Sequence, residues 1–390
     1  LPDTCLPMPD YGGGSIVNLM ASLLRARGGE ADYPKLRLLP PEEIQGFTNI
    51  LLLVIDGLGA NWLAEQSPTG ILSRHRLGAI TSVFPTTTAS AITTFLTGDA
   101  PQQHGITGWF TYFRELGCVM SVLPGHPRYG GVGYRQAGVD LASLLGHRCL
   151  ASRIQTRAFF LTPAKIAHSD FNLAHLGPAQ SRPFQDLRDM FRQAARLLRA
   201  DTDPKYLYCY WPGLDGRGHE AGMASPLAAR HLGAIEQALT DFMVASAGTD
   251  TLVLVTADHG NLEQMTNPDG TPQRDAAGKW SRDGAALTVV LLTSTRAPNE
   301  TIATLLQSQL AAIGVDVEIQ MLDSKAVMAA TTEGAFDLLL WRYDWNDPDA
   351  LNIYLGSDRI GSTNRVDDRT TDPLRCKALE GHTLRLVESL

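Results

Sequence analysis

Three continuous apolar segments, each followed within a few residues by an aspartate, constrain this 390-residue chain more than any other feature. The segments are NILLLVI at 49–55, KYLYCYW at 205–211 and TLVLVT at 251–256, and the aspartates that follow them are Asp56, Asp215 and Asp258. Continuous apolar runs of this length are typical of strands buried on both faces of a parallel sheet. Ligands bind at the carboxyl ends of such strands, so we expect the three carboxylates to meet at one sheet edge.

The segments between these strands carry helical spacing of apolar residues, which we predict as helices at 15–24, 88–97, 183–200 and 226–245. Pro183 is interpreted as a first-turn residue of its helix. Further strands are predicted at 81–85 and 286–292. Strands alternating with helices predict an α/β fold with a mostly parallel central sheet and helices on both faces, plus a small α/β insertion or cap.

The predicted domain organisation has three parts. A catalytic core covers residues 1–298 and contains an insertion within about 108–200, where Tyr112, Phe113, Arg114, Phe159 and Phe160 could set specificity. Residues 299–365 are predicted as a small helix–strand–helix–strand segment. Residues 366–390 form a C-terminal tail.

Composition excludes some classes of partner. The net charge of −8 and pI near 5.7 argue against nucleic-acid polymers and anionic membranes, although a pair of dications could still attract a small anionic substrate. Five scattered cysteines without a CxxC pair favour reduced thiols. Since the sequence shows neither an apolar run near 18 residues nor a signal-peptide pattern, we expect a cytoplasmic protein. The oligomeric state is not constrained.

Two acid–histidine pairs have the composition of metal ligands. Asp215 and His219 are four residues apart, a spacing that places both side chains on one face of a helical turn. Asp258 and His259 are adjacent where a predicted strand ends. Carboxylate oxygen and imidazole nitrogen are common zinc ligands, and the two pairs together with Asp56 predict a shared metal site.

The segment FPTTTASAITTFLTG supplies a candidate nucleophile. Thr88 begins the predicted helix, where free backbone N–H groups and the positive end of the helix dipole favour a phosphoryl group and lower the cost of an alkoxide. The same position also suits a helix cap. Thr86 and Thr87 are the competing choices.

The chain resembles the alkaline phosphatase superfamily and, within it, the type I phosphodiesterase/nucleotide pyrophosphatase family. The resemblance is carried by VIDGLG, FPTTTASAITTFLTGDAPQQHGITGW, YWPGLDGRGHEAG and VTADHGN, which occur in the family's order within about residues 11–295. It implies two divalent metal ions, zinc being expected and manganese or iron the alternatives, and a small phosphorylated substrate for which a nucleotide is one candidate.

The resemblance also assigns residues. Asp56, Thr88, Asp258 and His259 match the first metal site, and Thr88 matches the nucleophile because it is the third residue after Pro85. Asp215 and His219 match two of the three protein ligands of the second site. His104 matches a turn that we interpret as structural.

Two positions depart from the family pattern. Where nucleotide-cleaving members carry an asparagine after the HGI turn, this chain has Trp109, whose indole donates one hydrogen bond and cannot replace the amide. The second site of the family is closed by a histidine near the C-terminus, and His382 is the only histidine after Gly260. We therefore predict His382 as the third ligand. Without it the second metal would bind weakly and the enzyme would be impaired.

Residues 299–365 resemble a different family. The segments LLQSQLAAIGVDVEIQ and FDLLLWRYDWNDPDALNIYLGSD are similar to the C-terminal lobe of family 5 extracellular solute-binding proteins. About 65 residues cannot form a two-lobed binding protein, but a peptide- or solute-binding role remains an alternative to an enzyme.

The predicted reaction is hydrolysis of phosphodiester or phosphoanhydride bonds through a covalent phosphothreonine-type intermediate at Thr88. A phosphomonoesterase or a phosphonate hydrolase of the same superfamily is the nearest alternative, for which Arg114, Arg128 and Arg135 could supply charge. A sulfatase is disfavoured because no Cys/Ser-x-Pro-x-Arg sequence surrounds Thr88.

Overall fold

The computed structural model describes residues 8–261, 279, 281, 282, 285, 286, 288–312, 314–333 and 336–340. The chain divides into two compact units, residues 1–263 and residues 264–390. The predicted end of the core at residue 298 lies within the second unit.

The first unit alternates helices and strands. Its helices are α1 (Ile16–Ala26), α2 (Pro41–Gln45), α3 (Ala60–Gln66), α4 (Ile71–Arg74), α5 (Thr88–Thr97), α6 (Pro101–His104), α7 (Leu141–Leu145), α8 (Leu150–Arg153), α9 (Asp170–Leu176), α10 (Leu187–Ala200), α11 (Gly213–Ala221) and α12 (Pro226–Ala245). Its strands are β1 (Asn49–Ile55), β2 (Phe110–Phe113), β3 (Cys118–Ser121), β4 (His126–Pro127), β5 (Arg157–Pro163), β6 (Gln180–Phe184), β7 (Lys205–Trp211) and β8 (Thr251–Thr256).

A five-stranded parallel sheet in the order β6–β5–β7–β1–β8 forms the centre of this unit. The strands predicted at 49–55, 205–211 and 251–256 are confirmed with the same bounds, and they are the three adjacent strands β1, β7 and β8. Every residue of β1 is buried, as expected for a strand covered on both faces. The predicted α/β class with a mostly parallel sheet is therefore correct.

Helices cover both faces of the sheet. The alternate β1 side chains Ile50, Leu52 and Val54 belong to a core shared with α1 and α5, whereas Leu51, Leu53 and Ile55 belong to a core shared with α10 and α12. Each buried leucine, isoleucine or phenylalanine contributes roughly 1.5–3 kcal/mol by leaving water. The two cores thus hold the sheet, and with it the carboxyl ends of its strands, in a fixed position.

Two local predictions are wrong. Pro183 does not start a helix but lies in β6, at the edge of the sheet, where a residue without a backbone N–H is tolerated. The helix begins at Leu187, capped by the Asp186 side chain, which accepts a hydrogen bond from the Asp189 amide. Residues 81–85 do not form a strand: Thr81 makes a single bridge to Ser15.

The predicted insertion at about 108–200 contributes to the core sheet. It contains the antiparallel sheet β2–β3–β4, but its later strands β5 and β6 join the central parallel sheet. Both strands were absent from the sequence prediction.

The second unit contains β9 (Ser281–Arg282), β10 (Ala285–Ala286), β11 (Thr288–Ser294), α13 (Asn299–Ala312), β12 (Asp316–Leu322), α14 (Ser324–Glu333) and β13 (Leu338–Leu340). A parallel sheet in the order β12–β11–β13 packs through Leu291 and Val317 against Ala303 of α13. The helix–strand–helix–strand order predicted after residue 299 agrees with α13, β12, α14 and β13. In the part of the chain that the structure describes, helices are too short or too polar to cross a bilayer.

Candidate active site

The ends of β1 and β8 place two buried carboxylates side by side. Asp56 follows β1 directly, and its amide donates to the carbonyl of Trp211 at 3.0 Å, which continues the pairing with β7. Asp258 lies two residues beyond β8. Both residues are almost entirely inaccessible, with Asp56 3% and Asp258 0% exposed, so their charges are poorly solvated by water.

The turn after β1 requires glycine. Gly57 adopts a φ of +75°, and a Cβ atom there would lie 2.6 Å from Nδ2 of Asn261 and 3.0 Å from Oδ1 of Asp215. The Gly57 amide donates to Oδ1 of Asp258 at 3.1 Å, and Asn261 donates to the Gly57 carbonyl at 3.0 Å. A compact backbone at this turn therefore lets Asp215 approach the two buried aspartates.

Each buried aspartate has one hydrogen-bonded oxygen and one oxygen without a hydrogen-bond partner among the described residues. Oδ2 of Asp56 accepts a hydrogen bond from the Tyr210 hydroxyl at 2.5 Å, and Oδ1 of Asp258 accepts from the amides of Gly57 and His259 at 3.1 and 2.8 Å. Oδ1 of Asp56 and Oδ2 of Asp258 are buried without a hydrogen-bond partner among the described residues. An unpartnered buried carboxylate oxygen is costly, which indicates that these two atoms serve a ligand.

His259 faces both unpartnered oxygens. Its Nε2 lies 3.4 Å from Oδ1 of Asp56 and 3.6 Å from Oδ2 of Asp258, and its ligand atom groups with those of the two aspartates within 4.8 Å. Nδ1 of His259 lies 3.1 Å from the carbonyl of Gly260 and, as the donor there, leaves the Nε2 lone pair directed at the cluster. A carbonyl partner on the second ring nitrogen is the usual arrangement of a metal-binding histidine.

The three threonines at the start of α5 have different contacts. Thr86 donates to the carbonyl of Val83 at 2.8 Å, and Thr87 is the N-cap whose side chain accepts from the Ser90 amide. Thr88 is the first helical residue, and its hydroxyl lies 3.0 Å from Nε2 of His259. The hydroxyl at the cluster is therefore that of Thr88, and the cap is provided by its neighbour.

Asp215 and His219 form the second predicted pair. Both lie on α11, with Oδ2 of Asp215 3.1 Å from Nε2 of His219. Oδ1 of Asp215 is buried without a hydrogen-bond partner in the described structure, whereas the His219 side chain is 81% exposed. The pair thus offers one oriented oxygen beside the Gly57 turn and one imidazole open to solvent. The proposed third ligand, His382, lies outside the described residues.

The electrostatic state of the aspartates matches a cation site. Burial raises the pKa of Asp56, and the neighbouring charges of Asp258 and Asp215 raise it further. Burial likewise raises the pKa of Asp258, opposed by the two amides that donate to it. The raised pKa of each carboxyl favours its protonated form, and a bound dication would compensate the charge of the ionised form.

The remaining predicted residues lie elsewhere. His104 ends α6 with Nδ1 accepting from the Ile106 amide at 3.1 Å, as expected for a structural residue. Arg128 packs against the rings of Phe110 and Tyr129 and Arg135 pairs with Asp170, so both have other partners. Trp109 is 43% exposed.

The sequence pattern does not identify Tyr210, whose hydroxyl donates a hydrogen bond to Oδ2 of Asp56. Its position near the end of KYLYCYW identifies it as a strand residue, but three tyrosines alternate along β7 and nothing in the sequence distinguishes the last one. Only the pairing of β1 with β7 shows that this tyrosine reaches the aspartate.

Comparison with known proteins gives one extensive sequence match. The sequence pattern of the type I phosphodiesterase/nucleotide pyrophosphatase family matches residues 50–270, which is more than half of the chain. The pattern of the family 5 bacterial extracellular solute-binding proteins (middle region) matches residues 264–362. No curated protein sequence matches the chain.

Solved structures show more distant likenesses. Murine ectonucleotide pyrophosphatase/phosphodiesterase 5, an inactive variant in complex with AMP, is 18% identical over 56% of this chain and 58% of its own, with a TM-score of 0.43. A variant of the alkaline phosphatase PafA is 13% identical over 74% of this chain and 76% of its own, with a TM-score of 0.43. NikA from Brucella suis is 21% identical over 30% of this chain and 27% of its own, with a TM-score of 0.23.

This chain therefore spans little more than half of the length of the murine protein. The match over residues 50–270 covers the segments that carry Asp56, Thr88, Asp215, Asp258 and His259, and on this basis the chain belongs to the type I phosphodiesterase/nucleotide pyrophosphatase family.

Proposed function

We propose that the protein is a metal-dependent phosphodiesterase or nucleotide pyrophosphatase that uses Thr88 as its nucleophile. The observation that carries the proposal is the convergence of four atoms from three separate segments. These atoms are the unpartnered oxygens Oδ1 of Asp56 and Oδ2 of Asp258, Nε2 of His259 and the hydroxyl oxygen of Thr88.

The donor set fits a divalent cation. Two carboxylate oxygens, one imidazole nitrogen and one hydroxyl oxygen are suitable ligands for zinc, and manganese or iron are alternatives. Asp215 and His219 would hold a second cation, with His382 as the proposed third ligand. Bound divalent cations would polarise the phosphoryl group and stabilise the attacking and leaving oxygens.

The residues of the chain support an in-line displacement. The Thr88 hydroxyl loses its proton to solvent, its oxygen forms a bond to phosphorus, and the bond from phosphorus to the leaving group breaks. The leaving oxygen departs with the bonding electron pair and takes up a proton from solvent. The Thr87 cap accepts from the Ser90 amide, and the N–H groups that precede Ser90 in α5 would serve the phosphoryl oxygens. In the second step a water oxygen forms a bond to phosphorus and the water releases one proton to solvent. The bond from phosphorus to the Thr88 oxygen breaks, and that oxygen takes up one proton from solvent, so the hydroxyl is restored.

The substrate class follows from the site. A buried cation cluster suits a small phosphorylated molecule, and a nucleotide is a candidate because of the family. Trp109 stands where nucleotide-cleaving members carry asparagine, so the phosphoryl oxygen that the amide would hold must be held by another donor.

Three measurements test the proposal. The protein purified without chelator should contain divalent metal, and chelation should abolish hydrolysis of bis(4-nitrophenyl) phosphate, with recovery on adding zinc. A higher kcat/KM for this diester than for 4-nitrophenyl phosphate is expected. The opposite order would favour a phosphomonoesterase.

A solute-binding role is a second candidate because residues 264–362 match that family. It predicts peptide binding without bound metal and without turnover. Zinc analysis combined with the diester assay therefore separates the two functions.

A further inference from the structure

We propose that Tyr210 is a positioning residue that holds Asp56 as a single-oxygen ligand for the cation of the first site. The proposal rests on the proposed function, since it assigns to Tyr210 a role toward the metal that Asp56 would bind. It adds a residue that belongs to neither predicted metal site and that touches neither Thr88 nor His259 in the contacts described above.

The contact is buried at both ends. The Tyr210 hydroxyl donates to Oδ2 of Asp56 at 2.5 Å, and the two residues are 7% and 3% exposed. In the parallel pair of β7 and β1, Trp211 pairs with Ile55. Tyr210 precedes Trp211 and Asp56 follows Ile55, so Tyr210 and Asp56 lie near the ends of two adjacent strands. Two strands fixed by regular pairing therefore set the geometry of this hydrogen bond.

The two oxygens of Asp56 therefore have different roles. Oδ2 is occupied by Tyr210, so the carboxylate cannot turn both oxygens toward the cluster without losing this hydrogen bond. Oδ1 is left without a partner and faces Nε2 of His259 at 3.4 Å. Tyr210 thus leaves Oδ1 as the oxygen available to a cation, and it limits Asp56 to one metal–oxygen bond.

Asp258 also has one hydrogen-bonded oxygen and one unpartnered oxygen. Its Oδ1 accepts from the amides of Gly57 and His259, and its Oδ2 is the unpartnered atom. Here backbone groups hold the carboxylate, whereas at Asp56 a side chain does so. Two single-oxygen carboxylates, His259 and Thr88 give four ligands, the number that zinc prefers, and a two-oxygen Asp56 would add a fifth.

Tyr208 provides a matched control. It lies two residues earlier on β7, on the same side of the strand, and both tyrosines belong to the same apolar core. Its hydroxyl is buried without a hydrogen-bond partner among the described residues. Replacing Tyr208 with phenylalanine removes the same atom from the same strand but leaves the hydrogen bond to Asp56 intact.

The experiment measures metal binding rather than activity. Metal-free wild type, Tyr210→Phe and Tyr208→Phe are titrated with zinc by isothermal calorimetry. Loss of a hydrogen bond to a metal ligand typically reduces affinity by about 10- to 100-fold, and we expect this for Tyr210→Phe and no change for Tyr208→Phe. Cobalt-loaded proteins are compared in parallel, and we expect the visible absorption of Tyr210→Phe to shift toward a five-coordinate spectrum.

The outcomes separate the two proposals. Equal zinc affinities and equal cobalt spectra for all three proteins would overturn the role of Tyr210 and leave the metal site in place. Absence of metal binding by the wild type would overturn the proposed function itself. If Tyr210→Phe does not fold, a zinc-loaded structure of the wild type decides: one Asp56 oxygen on zinc with Tyr210 on the other supports the proposal, and two oxygens on zinc overturn it.

Discussion

The hydroxyl of Thr88 lies 3.0 Å from Nε2 of His259, although 171 residues separate them along the chain. One side chain comes from the first turn of α5 and the other from the loop after β8. Their contact places a hydroxyl at the imidazole nitrogen that faces the unpartnered oxygens of Asp56 and Asp258, and it distinguishes Thr88 from Thr87.

Replacing Thr88 with alanine should abolish turnover while metal remains bound. We expect kcat for the diester to fall by roughly three orders of magnitude or more, because the reaction loses its covalent route. Zinc content should remain close to that of the wild type, since three of the four proposed ligands of the first site are retained.

Thr87→Ala is the matched control for this prediction. It removes the N-cap side chain and should cost about 1 kcal/mol in the free energy of unfolding with little effect on kcat. If Thr87→Ala lost turnover and Thr88→Ala kept it, the assignment of the nucleophile would be reversed.

The pKa shifts of the aspartates predict how metal binding depends on pH. Burial and the charge of Asp258 raise the pKa of Asp56 to about 8. A carboxyl whose pKa is higher in the folded state than in the unfolded state stabilises the metal-free fold at low pH, and this contribution is lost as the pH rises toward 8. A cation must displace the proton, so its binding should strengthen over the same range.

Thermal unfolding with and without zinc measures this linkage. The increase in Tm on adding zinc should be larger at about pH 8 than at about pH 5.5, because fewer protons compete at the higher pH. In Asp56→Asn, whose amide does not titrate, the increase should be smaller than in the wild type at about pH 8 and should vary less with pH. An increase in the wild type that does not vary with pH would contradict a site built from these carboxylates.

Much of this site could be predicted from the sequence, because continuous apolar runs identify β1, β7 and β8, and their ends determine where the aspartates lie. The edge strand β6 could not be predicted in this way, since Pro183 fits an edge strand and a helix start equally well. The hydrogen bond from Tyr210 to Asp56 depends on strand order. Strand order follows from long-range packing that a single sequence pattern does not encode.

The end of α5 provides a prediction about stability. Gly98 closes the helix in the left-handed conformation with φ +79°, and its amide donates to the Thr94 carbonyl at 2.7 Å. A Cβ atom at this position would lie 2.7 Å from Cδ1 of Leu24 in α1. Gly98→Ala combines an unfavourable φ with a steric clash, and we expect a loss of roughly 2–3 kcal/mol in the free energy of unfolding.

Gly146 is the control for that change, because it closes α7 with φ +61° and a Cβ atom there would have no neighbour within 4 Å. Gly146→Ala should therefore cost only about 1 kcal/mol. Urea unfolding of both variants measures the difference. Equal losses would show that α1 accommodates the added methyl group.

His382 gives the last prediction, because it is the proposed third ligand of the second metal site. Asp215 and His219 alone supply two protein ligands, and the His219 side chain is 81% exposed, so a cation held by this pair alone should exchange readily. His382→Ala should reduce the zinc stoichiometry after dialysis from two ions to one while the first site stays filled. Replacing the exposed His75 with alanine is the control and should leave two ions bound. If both variants retain two ions, the second site is completed by a different residue.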